Sequence, residues 1–184
     1  QRMGRKTNRT QLTNLIHTLR QEIPDIILRT TLITGFPGET QQDHEILKEF
    51  IQQMQFDRLG VFPYSKEENT PAAKFPNQVL AGIKKKRQKE LMSIQQKIAF
   101  QKTKERIGKC FFVFVEGKLP EEGIYIGRTY MDAPNVDGFL FFESEQELMS
   151  GEFVWVDVTG AKGYDLIGKA NFNIKQGANY ESSK

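Results

Sequence analysis

Apolar residues recur at helical spacing in the first segment of the chain. Leu12, Leu15, Ile16, Leu19 and Ile23 share one face, with Thr10 or Asn8 as the start signal and Pro24 as the stop. The pattern then tightens. Residues 25–34, "DIILRTTLIT", are β-branched and almost unbroken in apolar character, which predicts a strand buried on both faces. The turn "TGFPGET" (34–40) follows. After it comes a helix from Thr40 to about Met54, carrying Ile46, Leu47, Phe50, Ile51 and Met54 on one side. "RLGVFPY" (58–64) predicts a short strand and "SKEENTPAAKFPNQ" (65–78) a loop. A long helix then runs from about Val79 to Arg106. Helix, strand, helix, strand, helix is the order of a parallel α/β sheet or barrel, but two strands can neither close nor bury both faces. Residues 1–106 therefore read as the end of a larger α/β domain.

From Ile107 the period changes. "KCFFVFVEG", "IYIGRTYMDAP", "GFLFFES", "EFVWVDVTGA" and "YDLIGKANFN" are short β runs separated by Gly-rich turns. They predict a small antiparallel OB-like barrel over 107–175, with a polar tail over 176–184.

Composition narrows this picture in a few places. The chain of 184 residues is 38% apolar and 27% charged, a globular balance. No apolar run approaches the roughly 20 residues that span a bilayer, and no secretory-signal pattern opens the chain. It starts at Gln1 rather than Met, which sets the expectation of a piece cut from a longer protein. Cys110 is the sole cysteine, so the chain has no internal disulfide; that suits a reducing, cytoplasmic home. This chain alone cannot build a cysteine-ligated metal centre. His17 and His44 lie on predicted helices without ligand spacing and read as surface residues. The net charge of +3 hides an asymmetry. Residues 1–106 hold 19 Lys+Arg against 11 Asp+Glu, a balance of +8; residues 107–184 hold 7 against 12, a balance of −5. A basic front and an acidic back imply different partners.

"TGFPGET" lacks the Gly-Lys-Ser/Thr ending of a P-loop. Pro37-Gly38 suits the centre of a type II turn, and Thr40 with Asp43 suits a capping box. A well-made turn is the favoured reading. A binding role stays open, because turns at the C-terminal ends of parallel strands are where barrels place their sites and Gly35 admits close approach. "KKKRQK" (84–89) reads as a solvated helix face, with phosphate contact open for a longer protein. "YSKEENTPAA" (64–73) reads as a loop in which Asn69 tolerates left-handed backbone. The second segment holds Phe111, Phe112, Phe114, Tyr125, Tyr130, Phe139, Phe141, Phe142, Phe153 and Trp155. Strand alternation sends about half of them to the core. The remainder sit on an acidic module, which favours a basic protein partner over RNA, although RNA contact stays open.

"RTTLITGFPGETQQD", "FDRLGVFPYS", "EENTPAA" and the "KKKRQKELMSIQQKI" helix, in this order, resemble the last third of a radical-SAM methylthiotransferase core. The β segment resembles the TRAM domain that follows that core. The resemblance covers essentially the whole chain. It implies a partial (β/α)6 barrel, with the two strands as its fifth and sixth. Thr31 closing "LRTT", Glu67 in "YSKEEN", "GRTYMDAPNVDG" (127–138) and "YDLIG" (164–168) resemble the branch that modifies an aspartate of small-subunit ribosomal protein twelve (RimO-like). They are less like the branch that modifies a tRNA adenosine. Asn69 departs from the glycine usual there.

By this resemblance the intact enzyme inserts a methylthio group at the aspartate β-carbon. S-adenosylmethionine supplies the methyl group and, after reductive cleavage, the radical. The family's CxxxCxxC and both of its 4Fe–4S clusters have no ligands in this chain, so the fragment is expected to be inactive alone. The resemblance implies that Thr31, Ile33, Gly35, Phe62 and Tyr64 line one wall of the S-adenosylmethionine pocket. It also implies that the TRAM domain, through residues such as Glu143 and Glu145, docks the basic ribosomal protein or the ribosome. The alternatives are a fragment of a tRNA adenosine methylthiotransferase and a non-enzymatic RNA-binding OB-like module.

Overall fold

Side-chain caps set the starts of the first two helices. Asn8 accepts the Gln11 N–H at 2.9 Å while the Gln11 side chain accepts the Asn8 N–H at 3.0 Å, opening α1 (Arg9–Glu22). Thr40 and Asp43 close the same reciprocal pair at the start of α2 (Gln41–Met54), as their spacing predicts. Around α2 lie β1 (Arg29–Thr34) and β2 (Arg58–Pro63), paired in parallel from Arg29 opposite Arg58 to Thr34 opposite Pro63. A single 3₁₀ turn (Pro71–Lys74) precedes α3 (Ala81–Lys104). The computed structural model describes residues 3–120 and 123–174; the predicted tail, 176–184, lies outside the described residues. The chain divides into two compact units, Gln1–Ala99 and Phe100–Lys184.

The core of the first unit joins Ile16 of α1, Phe50, Ile51 and Met54 of α2, Leu59 and Val61 of β2, and Leu91 and Ile98 of α3. Leu32 of β1 packs against it, whereas Thr31 and Ile33 are exposed, Ile33 by 43%. On β2, Phe62 is exposed by 59%. The expectation of a strand buried on both faces therefore fails for β1. The helices cover one face of the two-stranded sheet, and alternation hands the other face to solvent.

Within β2 and just beyond its two ends, polar side chains of α3 satisfy backbone carbonyls. Gln95 Nε2 donates to the Phe56 carbonyl, Gln88 Nε2 to the Val61 carbonyl and Lys84 Nζ to the Tyr64 carbonyl, each at 2.8 Å. Residues 84, 88, 91 and 95 form one helical stripe, and that stripe faces the sheet. "KKKRQK" is thus not wholly a solvated face: Lys85, Lys86 and Lys89 are exposed, but Arg87 is buried and Lys84 half-buried.

His44 also departs from the surface reading. His17 is exposed as expected, but His44 is 1% exposed. It shares the stripe of Leu47, Ile51 and Met54, so it enters the core side of α2, and Glu90 of α3 meets its Nε2 at 2.8 Å.

In the second unit β3 (Cys110–Lys118), β4 (Ile124–Arg128), β5 (Leu140–Glu143), β6 (Phe153–Lys162) and β7 (Asp165–Ala170) close into a barrel of order β3-β4-β5-β7-β6, with β6 pairing back to β3. All five predicted runs are strands. The barrel is not purely antiparallel, because β5 and β7 run parallel. A ring of five strands cannot alternate direction all the way round, so at least one neighbouring pair must be parallel. Phe111, Val113, Val115, Leu140, Val156 and Leu166 fill the interior. A Cβ on Gly168 would lie 2.6 Å from the Asp157 carbonyl oxygen, so glycine is required where β7 meets β6. Of the ten predicted aromatics, only Phe111, Tyr125 and Phe142 are buried, fewer than half. Aliphatic residues take most inward positions, which sends Phe112, Phe114, Phe153 and Trp155 outward.

The hydrogen bond from His44, foremost, holds the Glu90 carboxyl below its ordinary value of 4.5. A carboxyl lowered on folding stabilises the protein above its unfolded pKa and loses that contribution as pH falls through the folded one. Between about pH 5 and about pH 3 the urea midpoint should therefore fall more steeply for the native chain than for Glu90→Gln. Parallel slopes would remove the His44–Glu90 pair from the stability account.

Candidate functional site

The turn after β1 is organised by one carboxylate. Glu39 reaches back along it: Oε2 accepts the Gly35 N–H at 2.7 Å and Oε1 accepts the Thr34 hydroxyl at 3.2 Å. Arg87 Nη1 donates to Oε1 at 2.7 Å and to the Glu39 carbonyl at 3.2 Å. The two side chains of this ion pair are only 8% and 12% exposed. Beneath it, the Glu39 N–H donates to the Phe36 carbonyl at 2.9 Å and Gly38 takes φ +84°, the predicted type II geometry around Pro37-Gly38. Gly35 is demanded twice, by its φ of +75° and because a Cβ would sit 2.4 Å from Lys84 Cγ. Sequence reasoning found the turn and the cap but missed Glu39 and Arg87. The available signal was an acid placed just beyond a Gly-Phe-Pro-Gly turn, with an arginine inside a lysine run four residues before Leu91.

The predicted pocket residues fall into two groups. Thr31 and Ile33 are exposed on β1, and across the sheet they face Gly60 and Phe62, so Thr31, Ile33 and Phe62 share an open surface. Gly35 leaves this group, because β1 ends at Thr34 and Lys84 occupies the space beside its α-carbon. Tyr64 joins it at the turn. The Tyr64 N–H donates to the Thr34 carbonyl at 2.8 Å, its ring meets Phe36 edge-on at 5.3 Å, and Lys84 Nζ lies 4.8 Å from the ring centre. The Tyr64 hydroxyl is buried without a hydrogen-bond partner among the described residues. Thr31, Ile33 and Phe62 thus leave one face of the sheet open, and the Tyr64 ring is packed at the turn beside Phe36 and Lys84.

The residues present do not suit an iron–sulfur cluster. Burial, helped by the neighbouring Asp157, pushes the Cys110 thiol up to about 12, whereas a ligating cysteine must ionise. Among the described residues no group of His, Cys, Asp and Glu could hold a metal ion, and no helix is long and apolar enough to cross a membrane.

In the barrel, the segments "GRTYMDAPNVDG" and "YDLIG" meet. Asp132 accepts the Thr129 hydroxyl at 2.7 Å, Asp137 accepts the Ala133 N–H at 2.7 Å, and Asp165 reaches across to accept the Phe139 N–H at 2.9 Å. Their acids organise a loop. Glu143 pairs with Lys169 at 3.1 Å, both side chains being about two-thirds exposed, and Glu145 is exposed on the loop after β5.

Residues 107–170 match the TRAM domain family. Over 169 residues, 92% of its length, the chain is 64% identical to a ribosomal protein uS12 methylthiotransferase RimO from Lachnoclostridium phytofermentans, of which it covers 38%. It is 44% identical over 91% of its length to the protein of the same name from Alkaliphilus oremlandii (39% of that protein). For the one from Acetivibrio thermocellus the values are 45%, 91% and 37%. Over about nine tenths of its length the chain is thus similar to methylthiotransferases of this name, and its second part matches the TRAM domain family. It spans about two fifths of the length of the curated relatives it matches.

In this chain, Glu39→Gln would remove the carboxylate paired with the buried Arg87 guanidinium. Breaking one side of a buried pair costs about 3–5 kcal/mol. Urea unfolding of the first unit should show a loss on that scale, and the double change Glu39→Gln with Arg87→Met should recover part of it. A loss below about 1 kcal/mol would mean that the turn does not depend on this pair.

Proposed function

We propose that this chain is part of a radical-SAM methylthiotransferase that modifies an aspartate of ribosomal protein uS12 in the cytoplasm. The observation that carries the reading is the 64% identity over 92% of the chain to a protein named for that activity. In this reading residues 1–106 are the closing portion of a partial (β/α)6 barrel. The helix-free face bearing Thr31, Ile33 and Phe62 is its interior wall, and that role accounts for large apolar side chains left open on a two-stranded sheet. Tyr64 and the Glu39-clamped turn at Gly35 form the rim beside S-adenosylmethionine. When bound, that cofactor and the 4Fe–4S clusters held elsewhere in the longer protein supply the methyl group and the radical chemistry. The residues of this chain bind and orient. Without cluster ligands of its own, the fragment is inactive alone. The barrel at 107–175 docks the substrate, supported by its charge of −5 over residues 107–184 against a basic ribosomal protein.

The test uses the longer protein, with its clusters reconstituted, incubated with uS12, S-adenosylmethionine and a reductant. Mass spectrometry should find a methylthio group on a uS12 aspartate. Ile33→Glu should weaken S-adenosylmethionine binding by about tenfold or more, since it places a charge in an apolar wall. Unmodified uS12 beside a methylthiolated tRNA adenosine would overturn the substrate assignment, and unchanged cofactor affinity in Ile33→Glu would overturn the wall.

A further inference from the structure

The outer face of β3 and β6 carries a row of aromatic rings that the barrel does not use for its core. Phe112 lies opposite Trp155 in the ladder and Phe114 opposite Phe153. Phe112 and Phe153 stack at 5.1 Å with an interplanar angle of 18°, and Trp155 lies 5.1 Å from Phe112. Phe112 is 39% exposed, Phe153 49% and, beyond β7, Phe172 42%. Together with Asn171 and Glu152 these rings line an open groove of about 410 Å³. Among the described residues of that lining Glu152 is the one that ionises, and the Met149 N–H, donating to its Oε2 at 2.9 Å, orients it.

We infer that this groove docks a basic segment of a protein partner, taking an arginine or lysine side chain against the rings with Glu152 as its counter-charge. The same row shows the arrangement in miniature. One step along, the Arg128 guanidinium lies 4.9 Å from the Phe114 ring centre, and Glu116 pairs with it at 2.7 Å. Ring, cation and carboxylate thus already occur together on this face. In the groove, ring and carboxylate recur, with no cation among the described residues of the lining. Aromatic faces attract cations and a carboxylate reinforces the attraction. Phosphate is disfavoured, both by Glu152 and by the surplus of acid over base in residues 107–184. The inference deepens the reading that the barrel recruits a basic protein and moves the contact from Glu143 and Glu145 to the β3–β6 face. The groove's preference for a cation stands on its own residues, so it can fail or hold separately from the uS12 assignment.

Trp155 is the single tryptophan of the chain and reports on the groove directly. The 184-residue chain is titrated with a short synthetic peptide alternating arginine and leucine, followed by Trp155 fluorescence. The controls are the same peptide with citrulline for arginine and a single-stranded uridine oligomer. The arginine peptide should bind and perturb Trp155, and the citrulline peptide should bind at least about fivefold more weakly. Glu152→Gln should cost about fivefold and Phe153→Ala about tenfold, whereas Glu145→Gln should change nothing. Glu152→Gln alters only an exposed side chain, so it keeps the test valid even if Phe153→Ala fails to fold. Equal binding of the arginine and citrulline peptides, insensitivity to Glu152→Gln, tighter binding of the RNA oligomer, or a dimer abolished by Phe153→Ala would each overturn the proposal. If the arginine peptide binds as described and uS12 does not, the groove stands and the uS12 reading falls.

Discussion

The Arg87–Glu39 ion pair is the constraint on which the first unit's candidate site depends. Both side chains are nearly buried, so the pair acts in a medium where an uncompensated charge is costly. Through it α3 grips the carboxylate that in turn holds the Gly35 amide and the Thr34 hydroxyl. The turn is therefore held in two ways. Gly38 and the capping box give it a favourable local shape, and the ion pair ties that shape to a helix more than forty residues away. Lys84, Gln88 and Gln95 continue the grip down β2 by donating to its neighbouring carbonyls. A helix that in a larger sheet would only cover apolar residues here also satisfies backbone. The outcome is a two-stranded floor, tied to α3 along one strand, with the face bearing Ile33 and Phe62 open.

The second unit is governed by closure. Five strands in a ring require a parallel pair, which β5 and β7 supply, and glycine is needed where β7 meets β6. Once valines and leucines, with Phe111, Tyr125 and Phe142, fill the small interior, the remaining rings have no place inside. The outward row of Phe112, Phe114, Phe153 and Trp155 follows from volume as much as from function. A stacked outward row beside Glu152 nevertheless has a defined chemistry, favouring flat cations over phosphates.

Much of this was legible in the sequence because it is local. Helix starts at Asn8 and Thr40, the type II turn at Pro37-Gly38, left-handed Asn69 and five short strands after Ile107 all come from contacts within a few residues. Motif order likewise carried the family. What was missed is long-range and polar. Arg87 looked like part of a charged surface because its partner lies on another element, and His44 looked exposed because Glu90 lies 46 residues away. A buried strand and a half-open one have the same composition when the covering layer belongs to a different stretch of chain, as Ile33 and Phe62 illustrate. Barrel strand direction was misjudged because it follows from strand number and closure, not from any single run.

Amide hydrogen exchange at Gly35 tests most directly whether the ion pair, and not turn chemistry alone, holds the site. The Gly35 N–H bonds to a side chain, so its protection depends on Glu39 staying in place. In the 184-residue chain it should exchange at least about a hundredfold more slowly than in an unstructured peptide, and Arg87→Leu should remove most of that protection while the Leu91 amide stays protected. Exchange at the free-peptide rate in the native chain, or undiminished protection in Arg87→Leu, would contradict the account.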